Sequence, residues 1–182
     1  MRQRRRSTEL PSDSEGRPVD PVEYARTVVL RRLSAAARTR HELADDLVQR
    51  GVPAAAIDQV LDRFAEVGLI DDAEFARLWV ESRRRSRGNA PRVLRQELLE
   101  KGVDPAFIDA VLEGIDADQQ RADARRLVDA KLRSVARFED TVQIRRLVNL
   151  LVRRGYSPGM AFDVVREARE SAGESAGELA YR

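Results

Sequence analysis

The residues of this sequence that are best able to do chemistry are arginines, and they are concentrated in two stretches. Residues 83–101 contain seven basic residues against two glutamates, and residues 145–154 contain four arginines and no acidic residue. A guanidinium group is permanently charged and binds phosphates and carboxylates through paired hydrogen bonds. The chemistry that these stretches could supply is therefore the binding of an anionic partner. The candidate contact residues are Arg83, Arg84, Arg85, Arg87, Arg92, Arg95, Arg145, Arg146, Arg153 and Arg154.

The arginines of the second stretch have helical spacing. Arg146, Asn149 and Arg153 recur three or four residues apart, so a helix would place them on one face, opposite an apolar stripe. The corresponding helix near the N-terminus instead contains Asp45 and Asp46. Two interpretations stay open at this point. The basic faces bind a phosphate backbone or an acidic protein surface, or they are solvated helix faces.

Residues suited to catalysis or metal binding are few. His41 is the only histidine and there is no cysteine, so the sequence has no recognisable histidine-assisted nucleophile and no thiolate metal site. The acidic pairs Asp45–Asp46 and Asp71–Asp72 diverge on a helix, and the second pair suits a helix N-terminus better than a metal. No glycine-rich loop has phosphate-binding spacing. We expect a protein that is not an enzyme and that has no cofactor and no bound metal.

Aromatic side chains would add stacking surfaces for single-stranded nucleic acid if they were exposed beside basic residues. Most aromatics here fall on apolar stripes, and we expect them to fill the core. Trp79 is the residue to examine, because it precedes the arginines at 83–87 by about one to two helical turns. The aromatic residues in question are Phe64, Phe75, Trp79, Phe107, Phe138 and Phe162.

The elements that would position these residues form an internal repeat with a period near fifty residues. Gly51, Gly102 and Gly155 align, each with leucines four and eight residues before it and a proline shortly after it. Such periodicity is typical of tandem helical arrays, which usually provide surfaces for partners. We therefore predict an all-α fold of three tandem three-helix repeats in an elongated, curved array. The predicted repeats span residues 21–70, 71–115 and 116–170.

Local signals predict where the helices begin and end. Glycine at a helix C-terminus takes a left-handed backbone without a Cβ clash, and Pro53, Pro105 and Pro158 suit the first turn of the helix that follows. Asp104 and Ser157 are predicted N-caps. Three capping boxes are predicted from their spacing: Thr39 with Glu42, Asp71 with Glu74, and Asp140 with Gln143.

Both ends of the chain differ in composition from the repeats. Residues 1–20 are polar and rich in arginine, which predicts a disordered arm, and the low-complexity residues 171–182 predict a disordered tail. The arginine cluster of the arm is not followed by the apolar stretch of a secretory signal, and no apolar run reaches the length of a membrane span. We expect a cytoplasmic protein that acts as a monomer.

One segment of the sequence resembles a known family. The run GLIDDAEFAR at residues 68–77, with Trp79 and Ser82–Arg83 after it, resembles the most recognisable segment of the RecX family. The resemblance covers residues 22–168, with successive repeats at 31–51, 91–103 and, more loosely, 145–156. The arginine-rich arm is not part of the family pattern.

The resemblance implies a regulator of the RecA recombinase. Members of the family consist of three tandem three-helix repeats and bind RecA and its nucleoprotein filament. In most cases they inhibit the ATPase, strand-exchange and coprotease activities of RecA, which serve DNA repair, recombination and the SOS response. The basic faces would then contact filament-bound DNA or acidic RecA surface. Two alternatives stay open: a helical protein that binds single- or double-stranded DNA directly, and a protein-interaction scaffold without a nucleic-acid role.

Overall fold

The computed structural model describes residues 19–180, and side chains over residues 19–172. Within this part of the chain the regular secondary structure consists of nine α-helices and no strand, which confirms the all-α prediction. The helices are α1 (Pro21–Ala35), α2 (Arg40–Gln49), α3 (Ala54–Glu66), α4 (Asp72–Arg87), α5 (Pro91–Glu100), α6 (Pro105–Glu113), α7 (Ala117–Val135), α8 (Asp140–Arg153) and α9 (Pro158–Ala180).

Most of the predicted N-terminal caps are present. Thr39 and Glu42 form a capping box, because the Thr39 hydroxyl accepts the Glu42 N–H at 3.1 Å and the Glu42 carboxylate accepts the Thr39 N–H at 3.3 Å. Asp71 accepts the Glu74 N–H at 2.8 Å, but the Glu74 carboxylate binds Arg77, so only half of this predicted capping box is present. Asp104 and Ser157 also accept backbone N–H groups of the helices they precede, at 2.8 and 3.3 Å. These bonds satisfy donors that a helix N-terminus leaves unpaired.

The capping box predicted at Asp140 and Gln143 is wrong. Helix α8 begins at Asp140, and the residue at its N-cap position, Glu139, makes no side-chain cap bond. The Asp140 carboxylate instead pairs with Arg169 of α9 at 2.6 Å. The Gln143 amide donates to the Phe138 carbonyl at 2.7 Å. The carboxylate that the local spacing assigned to a cap therefore forms an ion pair with a neighbouring helix instead.

The helices before the three repeat glycines end in the same way. Gly51, Gly102 and Gly155 have φ angles of 76°, 70° and 95°, the left-handed region predicted for them. The N–H of the residue after each glycine donates to the carbonyl of the leucine five residues earlier, a Schellman closure. These bonds join Val52 to Leu47, Val103 to Leu98 and Tyr156 to Leu151, at 3.1, 3.1 and 3.2 Å. At Gly102 a side chain is also excluded by space, because a Cβ would lie 2.2 Å from the His41 ring.

The described chain divides into two compact units. The first consists of the described residues of Met1–Arg77 together with Leu98–Ile108. Its segment at Lys101 is tied to α2, because the Thr39 hydroxyl donates to the Lys101 carbonyl and the Lys101 ammonium binds Glu42, both at 2.7 Å. Its core gathers Ala25, Val28, Val29, Leu43, Leu47, Val52, Ala56, Ile57, Val60, Leu61, Phe64 and Ile70.

The second unit consists of Leu78–Glu97 and the described residues of Asp109–Arg182. The turn between α4 and α5 is tied to the end of α8, since the Tyr156 hydroxyl donates to the Gly88 carbonyl at 3.1 Å and the Ala90 N–H donates to the Arg154 carbonyl at 2.9 Å. Burial raises the pKa of Tyr156 to about 12, so it stays a donor. The core gathers Ala90, Ala124, Val128, Val135, Leu147, Leu151, Tyr156, Ala161, Val164, Val165 and Ala168.

The ends of the described chain add two observations. The predicted arm lies outside the described residues except for Val19 and Asp20, and the Asp20 carboxylate accepts the Val22 N–H at 2.9 Å as the cap of α1. At the other end α9 continues to Ala180, past the helix end expected near residue 170. This segment contains alanine and glutamate, which are good helix formers. No helix within residues 19–180 is long and apolar enough to cross a membrane.

Candidate functional site

One carboxylate of the acidic pair of α2 holds the first unit together. Asp46 accepts two hydrogen bonds from the Arg32 guanidinium, at 2.8 and 2.9 Å, and lies 3.2 Å from Arg50. The hydrogen bonds from Arg32 lower the pKa of Asp46 to about 2. Its exposed neighbour Asp45 lies 3.4 Å from Nε2 of His41. The charge of Asp46 is therefore matched within the unit, whereas Asp45 lies at the surface beside the His41 ring.

The second acidic pair supports helix termini. Asp71 caps its own helix, whereas Asp72 accepts the backbone N–H of Arg40 at 2.9 Å and so caps α2 from the start of α4. Partial burial raises the pKa of Asp72, and the bond from Arg40 offsets part of that rise. In the described part of the chain, no group of three or more histidine, cysteine, aspartate or glutamate side chains could hold a metal ion.

Two of the candidate arginines belong to a network around Glu97 in the second unit. The Arg83 guanidinium lies 4.0 Å from the centroid of the Trp79 ring, and its Nε is 3.6 Å from Glu97. The Trp79 indole and the Asn89 amide donate to the two Glu97 oxygens at 2.8 and 2.9 Å. Arg154 donates to the Asn89 carbonyl oxygen at 3.3 Å. Arg83 and Arg154 thus connect α4, α5 and the end of α8.

Arg84 has a comparable internal role. Its Nε donates to the buried Asp123 carboxylate of α7 at 2.8 Å, and Arg126 binds the other oxygen of the same group. A buried carboxylate needs such partners, because an unpaired charge away from water is costly. Arg84 therefore stabilises the packing of α4 on α7.

The remaining arginines of α4 and α5 lie at the surface. Two of them have acidic neighbours within the unit: Arg85 pairs with Glu81, and Arg95 pairs with Asp109. The other two, Arg87 and Arg92, are exposed and have no ion-pair partner among the described residues. The basic stretch at 83–95 is thus used largely by the fold itself.

The arginines of α8 form a different surface. Arg145, Arg146 and Arg153 are exposed, and none has an acidic partner among the residues that the structure describes. Arg146 lies over the Phe138 ring, 4.0 Å from its centroid. As the spacing predicts, Arg146, Asn149 and Arg153 share an exposed face, opposite buried leucines of the same helix. This face keeps its positive charge available to a partner.

A groove of about 290 Å³ runs between α7 and α8. Lys131 comes from α7, whereas Arg146, Asn149 and Arg153 come from α8, and no acidic residue lines the groove. Its other lining residues are Ser134, Val135, Leu147 and Leu150. We call the surface formed by Lys131, Arg146, Asn149 and Arg153 the α7–α8 groove. It brings together two of the ten predicted contact residues, Arg146 and Arg153.

Lys131 is the groove residue that the sequence analysis missed. Its helix contains acidic and basic residues in alternation up to Asp129, and this pattern hides a local change of charge. Residues 130–138 contain three cations and no acid. That short run, which also includes Arg137 next to Phe138, is the signal that could have identified the second wall.

The aromatic residues are divided between the core and the surface. Phe64 and Phe75 are buried as predicted, but Phe107 and Phe162 are 44% and 52% exposed, so the core assignment is wrong for these two. Trp79 is partly buried, and the Arg83 guanidinium covers one face of its ring. Trp79 is therefore part of the Glu97 network.

The chain matches two domain models of one family. The model described as the first three-helix domain of RecX matches residues 25–64, and the model described as the second three-helix domain matches residues 71–112. Both matches lie within the region where the sequence resembles that family.

Several relatives are similar over most of the chain, and each is named regulatory protein RecX. The relative from Streptomyces lividans is 48% identical over 162 residues, which cover 89% of this chain and 86% of the relative. Those from Thermobifida fusca and Mycobacterium avium are 44% and 51% identical, covering 90% and 79% of this chain and 88% and 83% of the relatives.

Two solved structures share the fold. The crystal structure of RecX from Lactobacillus salivarius matches with a TM-score of 0.72 at 19% identity and covers 82% of this chain and 97% of that one. A second structure, of a regulatory protein RecX, matches with a TM-score of 0.69 at 22% identity and covers 81% and 72% of the two chains. These likenesses support the helical architecture.

Proposed function

Because this chain belongs to the RecX family of regulatory proteins, we propose that it regulates the RecA recombinase. In this proposal the protein binds RecA and its nucleoprotein filament and lowers the ATPase, strand-exchange and coprotease activities of RecA. It acts by binding, without catalysis of its own. It would thereby limit RecA activity in DNA repair, recombination and the SOS response.

The observation that carries the proposal is the similarity to relatives named regulatory proteins. Identity near one half extends over about nine tenths of the chain for the Streptomyces lividans protein, so it includes both units and not only a shared helical motif. A regulator that binds a polymer of protein and DNA also requires an accessible contact surface. The exposed, acid-free face of α8 in the second unit meets that requirement.

The charge of this face fits the proposed partner. A nucleoprotein filament carries phosphates and acidic side chains, both of which attract guanidinium groups over distances of about one Debye length. Arg145, Arg146 and Arg153 are not neutralised by acids within the described residues. By contrast Arg83, Arg84 and Arg154 already bind groups inside the second unit. We therefore propose that the contact lies on α8.

The test is a titration of the protein into RecA that hydrolyses ATP on single-stranded DNA. We expect substoichiometric amounts to lower the hydrolysis rate, because one bound regulator would affect several filament subunits. The same titration with heat-denatured protein controls for nonspecific effects. A hydrolysis rate that stays constant up to equimolar protein would overturn the proposal.

A variant tests the proposed surface within the same assay. Replacing Arg145, Arg146 and Arg153 with alanine should shift the titration to higher protein concentrations while helix content, followed by circular dichroism, stays the same. The matched control replaces Arg26, Arg31 and Arg63, three exposed arginines of the first unit, and removes the same charge. Equal inhibition by both variants would assign the RecA contact to another surface.

A further inference from the structure

We infer that the α7–α8 groove binds the sugar-phosphate backbone of a nucleic-acid strand. The inference deepens the proposed function, on which it rests, because it names the chemical group that this part of the second unit would take from a nucleoprotein filament. The groove is lined by Lys131 on one wall and by Arg146, Asn149 and Arg153 on the other.

The first argument is the absence of competition for these cations. Within the described residues, Lys131, Arg146 and Arg153 have no acidic partner, although most arginines of the first unit and of α4 do. Surface cations are normally interspersed with acids. Three unpaired cations around one groove of about 290 Å³ produce a positive potential inside it, where an anion would be attracted from both walls.

The second argument is the linear spacing of the cations. Arg146 and Arg153 are seven residues apart on α8, which places them about 10 Å apart along the helix axis. Phosphates repeat along a nucleic-acid strand, so two arginines at this separation can contact different phosphates of the same strand.

The third argument is the way in which the donors are held. The Arg146 guanidinium is stacked on Phe138 at 4.0 Å, and Arg137 lies over the same ring at 4.9 Å. Stacking restrains the guanidinium plane but leaves its N–H edge free, and a restrained fork loses less entropy when it binds a phosphate. The Asn149 amide, which has no hydrogen-bond partner among the described residues, lies between the two arginines and can donate to the same backbone.

The test measures binding of the full-length protein to a fluorescein-labelled oligothymidylate and to a duplex of equal length, at several salt concentrations. We compare the wild type with a variant carrying Lys131→Ala, Arg146→Ala and Arg153→Ala. At low salt we expect the variant to bind at least about tenfold more weakly. The salt slope for the single strand should decrease by about two, since each phosphate contact contributes about 0.7. The control variant with Arg26, Arg31 and Arg63 replaced by alanine should bind as the wild type does.

A second variant keeps the inference testable if the triple variant folds poorly. Asn149→Glu places a carboxylate between Arg146 and Arg153 without removing a cation, and the position is exposed, so folding should be preserved. We expect it to weaken binding to the oligonucleotide as well. Affinities unchanged in both groove variants would overturn the inference, as would failure of the wild type to bind either oligonucleotide at low salt.

The RecA titration separates this inference from the proposed function. If the wild type inhibits RecA but binds neither oligonucleotide, the groove does not bind a nucleic-acid backbone and the regulatory proposal stands. If groove-dependent binding to an oligonucleotide is observed without any effect on RecA, the groove inference stands and the regulatory proposal fails. If the groove variants lose inhibition but keep wild-type oligonucleotide affinity, the groove contacts an acidic surface of RecA, and the inference is overturned.

Discussion

Helices α2 and α8 occupy equivalent positions in the sequence repeat, yet they use charge in opposite ways. Each buries two leucines ahead of its glycine, Leu43 and Leu47 in α2, and Leu147 and Leu151 in α8. On α2 the side chains of Arg40, Glu42 and Asp46 are paired within the first unit, most tightly at Asp46. On α8 the arginines of the exposed face have no acidic partner in the described chain.

The comparison shows that the two faces of a repeat helix follow different constraints. The buried face is set by packing, because a core near crystalline density accepts little change of volume. The exposed face contributes little to stability and is free to serve contacts outside the unit. Unpaired charge that persists on an exposed face therefore indicates a binding surface more directly than the number of basic residues in a stretch does.

The largest expected effect tests whether the buried faces of α2 and α8 contribute equally to stability. Leu47→Ala and Leu151→Ala each remove a fully buried side chain, and each should lower the free energy of unfolding of its own unit by about 2 to 5 kcal/mol. Urea unfolding followed by circular dichroism measures the loss. Val48→Ala, at a position 59% exposed, is the control and should change stability little. A loss of stability in only one of the two leucine variants would show that the buried faces of α2 and α8 are not equivalent.

A smaller effect tests the statement that charge on α2 stabilises the first unit. The folded-state pKa of Asp46 is about 2, below the usual value near 3.9, so its contribution is present above about pH 4 and is lost as the pH falls towards 2. Because Arg32 is partly exposed, we expect about 1 to 2 kcal/mol, less than an unscreened shift would give. Asp46→Asn should lose this amount at neutral pH and converge with the wild type in strong acid.

The exposed neighbour of Asp46 provides the control for that measurement. Asp45→Asn removes the same charge one residue away, where the carboxylate meets only His41, at 3.4 Å, among the residues that the structure describes. Urea midpoints of both variants and the wild type should be compared between neutral pH and about pH 2. If the two variants lose equal stability at neutral pH, the bidentate Arg32 pair does not stabilise the unit.

The smallest expected effect concerns the exposed face of α8. Replacing Arg145 and Arg153 with alanine should change the free energy of unfolding by no more than about 0.5 kcal/mol, because neither side chain has an acidic partner among the described residues. Urea unfolding under the conditions used for Asp46→Asn gives a direct comparison. A loss as large as that of Asp46→Asn would show that these arginines stabilise the fold, contrary to their assignment as a contact surface.

The sequence predicts the parts of this structure that depend on near neighbours. Thr39 with Glu42 and the left-handed backbone at Gly102 are encoded within a few residues, and both are present. Helical periodicity likewise places Arg146 and Arg153 on one face. The capping box at Asp140 was wrong because a residue from another helix competes for the carboxylate.

The parts that the sequence does not predict depend on partners far apart along the chain. Glu97 accepts a hydrogen bond from the indole of Trp79, which lies 18 residues earlier in the sequence. Arg154 binds Asn89, from which it is separated by 65 residues. Spacing carries no information about such pairs, so Arg83 and Arg154 resemble free cations in the sequence although they are bound in the fold. Lys131 was not identified from the sequence for the same reason, because it faces α8 only after α7 and α8 have packed.

The position of Trp79 has a consequence for spectroscopy. It is the only tryptophan in the chain, and it lies in the second unit with its indole N–H bonded to Glu97 and its ring beneath Arg83. Its emission will therefore respond to water entry at the α4–α5 turn, whereas far-ultraviolet dichroism sums the helices of both units. Recorded together, the two signals separate the melting of the second unit from that of the first without an added label.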